Sequence, residues 1–65
     1  MPSTVIKHFS YDPVAAILTV TFLSGDVYAY KNVPEKIHKS LKTAGSKGRY
    51  FNKFIRDTFV FEHLG

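Results

Sequence analysis

Apolar and polar positions change rhythm once along this chain. Over residues 4–31 they alternate with a period near two, and over residues 33–56 they recur every three to four. The cleanest alternation is Ile17 to Phe22, where Leu18, Val20 and Phe22 share one parity and Thr19 and Thr21 the other. Before it, Thr4 to Tyr11 alternates imperfectly, with Val5, Phe9 and Tyr11 on one parity and Lys7 interrupting it. Asp12-Pro13 separates the two strands, because Asp bonds its own backbone and Pro fixes φ. Ser24-Gly25-Asp26 marks a hairpin, and Val27 to Lys31 is the returning strand. A three-residue loop Leu23-Ser24-Gly25, with Gly in the left-handed position, pairs Phe22 with Asp26, Val20 with Tyr28 and Leu18 with Tyr30. Both tyrosines then point at the core, with their hydroxyls at its rim. A two-residue loop would turn them to the threonine face; the longer loop is preferred because it separates aliphatic from threonine positions.

The second half reads as two helices. Val33-Pro34-Glu35 is a helix start, with Pro in the first turn where its missing N–H costs nothing. Val33, Ile37, Leu41 and Ala44 form a narrow apolar stripe, with Lys36, Lys39 and Lys42 opposite. Gly45 is expected as the C-cap and Ser46 as the N-cap of the next helix. There Tyr50, Phe51, Phe54 and Ile55 make the apolar stripe, and Arg49, Asn52, Lys53 and Arg56 the polar face. Phe59-Val60-Phe61 fits either a short strand or an aromatic clasp over the core. The order, strands followed by helices, predicts an α+β fold: a three-stranded antiparallel meander followed by two short helices packed on one face. Residues 1–65 form a single domain on this reading. Leu18, Val20, Phe22, Ile37, Leu41, Phe51, Phe54 and Ile55 are the expected core.

Composition narrows the class. A chain of 65 residues sits near the lower limit for folding without a staple, and it has no cysteine to provide one. At 45% hydrophobic and 15% aromatic residues it can fold on apolar packing, and disorder is excluded. No apolar run approaches the ~18 residues of a membrane span, and no basic segment precedes an apolar one at the start. The expected location is cytoplasmic.

Charge is segregated. Residues 31–56 carry Lys31, Lys36, Lys39, Lys42, Lys47, Arg49, Lys53 and Arg56 against Glu35 alone, a net +7 within a chain of +4. Such a field attracts polyanions, whereas a merely solvated helical surface would keep a small domain soluble. The stretch from Lys47 to Phe54 interleaves cations with aromatics and an amide, the groups used on phosphate, bases and base edges. Helical projection nevertheless assigns Tyr50, Phe51 and Phe54 to the core and leaves Arg49, Asn52, Lys53 and Arg56 outside.

Catalytic and metal chemistry lack their parts. There is no Gly-x-Ser-x-Gly elbow and no carboxylate pair near in sequence. His8, His38 and His63 stand 25 or more residues apart and match no metal-binding spacing. Gly45-Ser46-Lys47-Gly48 lacks phosphate-loop spacing, although a helix N-terminus there favours an anion; a plain inter-helix turn is the competing explanation. No cofactor is expected.

The ordered motif set resembles the KTSC domain, a small module named for its presence at the C-terminus of some lysyl-tRNA synthetases and found also as a stand-alone bacterial protein. The resemblance runs through most of the chain: Tyr11-Asp12-Pro13, Leu18-x-Val20-x-Phe22, Gly25, the Tyr28-Ala29-Tyr30 pair, Val33-Pro34, and Ser46-Lys47-Gly48-x-Tyr50-Phe51-Asn52 with Ile55. Phe59 departs from it, standing where the family often has Tyr. The association with a tRNA synthetase implies RNA binding, which agrees in sign with the charge segregation. The expected function is a basic, non-enzymatic module that binds RNA through Lys36, Lys39, Lys42, Lys47, Arg49, Asn52, Lys53 and Arg56, with Tyr28, Tyr30, Tyr50 and Phe51 as the family's aromatics. The alternative is a protein-interaction or structural module, favoured if Phe59-Val60-Phe61 and Leu64 form an exposed apolar patch.

Overall fold

The structure, a computed structural model, describes residues 6–65. Strands β1 (Ile6–Asp12), β2 (Ile17–Phe22) and β3 (Val27–Tyr30) are followed by helices α1 (Glu35–Thr43) and α2 (Lys47–Phe54) and a short strand β4 (Phe61–His63). The sheet is antiparallel in the order β1-β2-β3-β4. The α+β class is as expected. The meander has a fourth strand, however, because the tail returns to pair with β3.

The hairpin between β2 and β3 has the three-residue loop. Leu18 pairs with Tyr30 and Val20 with Tyr28. Phe22 N–H donates to Asp26 O and Gly25 N–H to Phe22 O, both at 2.9 Å. Gly25 takes φ +99°, a conformation that needs its missing Cβ. The earlier turn is held by Asp12 Oδ1, which accepts from Val14 N–H at 3.0 Å and Ala15 N–H at 3.3 Å. Lys7 breaks the alternation because the register shifts between Ile6 and His8: a bulge lets Ile6 join Phe9 and Tyr11 against the core. Val5, the first expected inward residue, lies outside the described residues.

The helices lie over the face carrying Leu18, Val20 and Tyr30. These three, with Val33, Leu41, Phe51 and Ile55, form the buried core. Phe22 and Ile37 are half-buried against it. Phe54 is not core, being 43% exposed. Phe51 and Ile55 lie about 40° apart around the helix, and Phe54 falls about 60° to the far side of Phe51. An eight-residue helix lays only one flank on the sheet, so Phe54 instead tilts against Tyr50, their ring centroids 4.6 Å apart.

Helix α1 begins after Pro34, whose carbonyl accepts from Ile37 N–H at 3.0 Å. It ends on an extended Ala44 rather than a left-handed Gly45. The Thr43 hydroxyl donates to Lys39 O at 3.1 Å there. Ser46 caps α2 as expected, its Oγ accepting from Arg49 N–H at 3.4 Å.

One side-chain bond fixes where α1 enters. The Tyr11 hydroxyl donates to Val33 O at 2.6 Å, and Val33 N–H donates to Ala16 O at 2.9 Å. Val33 is fully buried. Tyr11→Phe would leave its carbonyl without that partner and is expected to cost about 1–3 kcal/mol. Urea unfolding should show a lower midpoint at unchanged slope; an unmoved midpoint would mean that the carbonyl finds another donor.

Candidate functional site

Five aromatic rings meet at one end of the core face. The β2–β3 register places Phe22, Tyr28 and Tyr30 there, and α2 lowers Phe51 onto them. β4 completes the group by setting Phe61 opposite Tyr30 and His63 opposite Tyr28. The rings touch in a closed cycle. Phe22 and Tyr28 have centroids 5.7 Å apart, Tyr28 and Phe61 5.4 Å, Phe61 and Tyr30 5.4 Å. Tyr30 to Phe51 and Phe51 to Phe22 are each 5.3 Å. Four of the five junctions are edge-to-face, at 68°, 86°, 80° and 71°. Above them opens a cleft of about 450 Å³, lined by these rings and by Ser24, Asp26, Arg56 and Asp57.

The polar rim is partly tied down. Asp26 lies 3.3 Å from His63 Nε2 through one carboxylate oxygen and accepts from the Ser24 hydroxyl at 2.9 Å through the other. His63 also stacks on Tyr28, with centroids 4.6 Å apart. Arg56 donates from Nη1 to Asn52 Oδ1 at 3.2 Å. Tyr30 is only 3% exposed. Burial, and next the neighbouring Tyr28, push its phenol from 10.0 up to about 12; Asp57 adds to this and Arg56 opposes it. Among the described residues no hydrogen bond engages the Tyr30 hydroxyl, and none of their sealed side-chain oxygens lacks a partner. The hydroxyl therefore opens onto the cleft.

The cations read from the sequence sit elsewhere, apart from Arg56. Lys36, Lys39 and Lys42 are exposed along α1, Arg49 and Lys53 along α2, and Arg56 just beyond it. Lys47 and Asn52 are half-buried. Lys47 Nζ lies 3.5 Å from Ala44 O, and Lys53 Nζ 5.5 Å from the Phe54 ring. Among the described residues an ion pair joins Lys31 with Glu62 and the His63 ring meets Asp26, and neither contact involves these seven cations. Of the four family aromatics, Tyr28, Tyr30 and Phe51 converge at the cleft. Tyr50 is half-buried beside Phe54, away from it. Both tyrosines of the pair thus share the core face, Tyr30 as core and Tyr28 as half-buried wall.

Sequence reasoning assigned Phe22, Asp26 and Asp57 to no site and placed Phe61 only in an apolar patch of the tail. The pairing of Phe61 with Tyr30 spans two helices, and no local signal sets its register. His38 serves packing, stacked on Tyr11 with centroids 4.7 Å apart and edge-on to Phe9. No cluster of metal-ligating side chains occurs among the described residues. No described helix is long and apolar enough to cross a membrane.

Comparison with known proteins gives the family context. The family model of the KTSC domain matches residues 2–59. A lysine–tRNA ligase of Nostoc punctiforme is 49% identical over 61 residues, covering 94% of this chain and 11% of the ligase. The chain thus spans about a tenth of the length of the ligases it matches. An uncharacterized protein of Stutzerimonas stutzeri is 38% identical over 56 residues, covering 86% of this chain and 79% of that protein. The crystal structure of a KTSC domain protein from Yersinia pestis superposes with a TM-score of 0.91 at 34% identity, over 100% of this chain and 92% of the other.

Proposed function

The chain belongs to the KTSC domain family, and from that premise we propose that it is a non-enzymatic module that binds RNA across the outer faces of α1 and α2. The observation that carries this reading is the uncompensated charge. Seven cations project from one 21-residue stretch, and no described carboxylate neutralises any of them. Polyanion binding exchanges condensed counterions for such side chains. The similarity to part of a lysine–tRNA ligase, an enzyme whose name specifies tRNA, supports RNA as the polyanion.

If ~4–6 of these cations meet phosphates of single-stranded RNA, log K falls with log salt at a slope of about −3 to −4. Replacing Lys53 and Arg56 with Gln should flatten the slope by about one to one and a half. A gel-shift titration at several salt concentrations measures both. Absence of binding at low salt would overturn the reading. So would binding indifferent to salt and to the substitutions.

A second reading, a protein-interaction module, is favoured by Val60, Phe61 and Leu64, which are all exposed along the edge strand β4. An open strand edge beside apolar side chains suits docking by strand addition. Substitution of Val60 and Leu64 by Ser would impair that role and leave the RNA slope unchanged.

A further inference from the structure

The aromatic cleft is a second site with the opposite electrostatic preference to the helical surface. Its charged lining is Asp26, Asp57 and Arg56, two anions against one cation, in a chain whose net charge is +4. The shape points the same way. A flat base is gripped by a slot between parallel rings, whereas four of the five ring junctions here lie between 68° and 86°. Edge-to-face contacts leave the half-exposed ring of Phe61 and the outer part of Tyr28 open to the cleft, and the negative face of such a ring attracts a compact cation.

Among the described residues no cation of the chain stacks on the rings of that cleft. Arg56 is drawn to Asn52, and the one cation–ring contact among the described residues is Lys53 with Phe54, outside the cleft. His63 does lie against Tyr28, and its ring is engaged by Asp26. Two acceptors remain for a donor group. The Tyr30 hydroxyl belongs to a side chain that is 3% exposed, opens onto the cleft and has no described hydrogen bond. The Asp57 carboxylate is exposed and forms no described ion pair.

The geometry points to this cleft as a binding site for an alkylammonium group, presented as the side chain of a lysine in a peptide. The ammonium sits over Tyr28 and Phe61, donates to Tyr30 and pairs with Asp57, and the aliphatic stem lies along Phe22. The peptide backbone stays outside, where the cleft opens to solvent. The site does not depend on RNA binding by the helices.

The test is a nuclear magnetic resonance titration of the full chain with an uncharged-ended peptide carrying one lysine. Free n-butylammonium, sodium chloride and adenosine monophosphate are run in parallel. Saturable shifts are expected at the ring resonances of Tyr28, Tyr30 and Phe61 with the peptide, weaker ones with butylammonium, and none there with the salt. Asp57→Asn should weaken peptide binding up to about five-fold, the range of an exposed ion pair. Arg56→Gln should tighten it by removing a repulsive neighbour, while weakening RNA. These opposite responses to one substitution separate the two sites, so a failed RNA titration leaves this result untouched. Both residues are exposed, so neither change threatens the fold. Saturation by the nucleotide in place of the amine, or tighter peptide binding by Asp57→Asn, would overturn the assignment.

Discussion

Phe51→Ala is expected to cost about 3–5 kcal/mol, roughly a third or more of the stability of a chain this size. Phe51 is 1% exposed and touches both Phe22 and Tyr30 edge-on, so its removal opens a hole where α2 meets the sheet. A chain of this length has a total stability of only ~3–10 kcal/mol. Against that margin the loss of one buried ring is decisive. Far-ultraviolet circular dichroism with urea titration reads the effect directly. Phe54→Ala, one helical turn on and 43% exposed, should cost far less. Equal losses at the two positions would refute the assignment of Phe51 as the centre of the helix–sheet contact.

Stability should also fall in alkali, and one phenol should account for part of that fall. Folded Tyr30 holds its proton up to about 12, against 10.0 for an ordinary tyrosine. Between those values the folded state binds one proton more than the unfolded chain, so raising the pH favours unfolding. The contribution is complete below pH 10, declines as the pH climbs toward 12 and is gone above it. At most it reaches roughly 3 kcal/mol. Tyr30→Phe keeps the ring and removes the titrating group. Compared by urea unfolding at about pH 9 and about pH 11.5, the wild type should therefore lose more stability than the variant as the pH rises. Parallel decline would assign the alkaline loss to the lysines and the other tyrosines.

Legibility followed the distance between interacting residues. The register that turns Tyr28 and Tyr30 inward could be read because one glycine-containing loop sets it. The cap of α2 could be read because Ser46 and Arg49 are three residues apart. Lys7 could not be placed, because a bulge depends on how two strands twist together. Phe54 was misassigned because a helical stripe shows which side chains are apolar and not which flank a sheet will cover. The cleft needed the partner of β3, and Phe61 reaches Tyr30 only after two helices have been laid down. The cations were legible as charge from composition alone. Asp57 stands in no motif, and the fold gives it a place on the lining of the five-ring cleft.

The strand that closes the aromatic cycle is also the most weakly held. Tyr28 and His63 are paired across 35 residues, the longest chain closure in the sheet, and all three residues of β4 are exposed. The entropy of that closure is set against a ladder of very few bonds. β4 is therefore the element that detaches at least cost while the remainder stays folded. β4 forms one wall of the cleft and the core forms its floor. Anything that seats against Phe61 binds the attached state alone and raises its population. Occupancy would then be recorded as slower amide exchange at Leu64, whose N–H donates to Val27 O at 2.7 Å, and at Val27, whose N–H donates to Gly65 O at 3.2 Å.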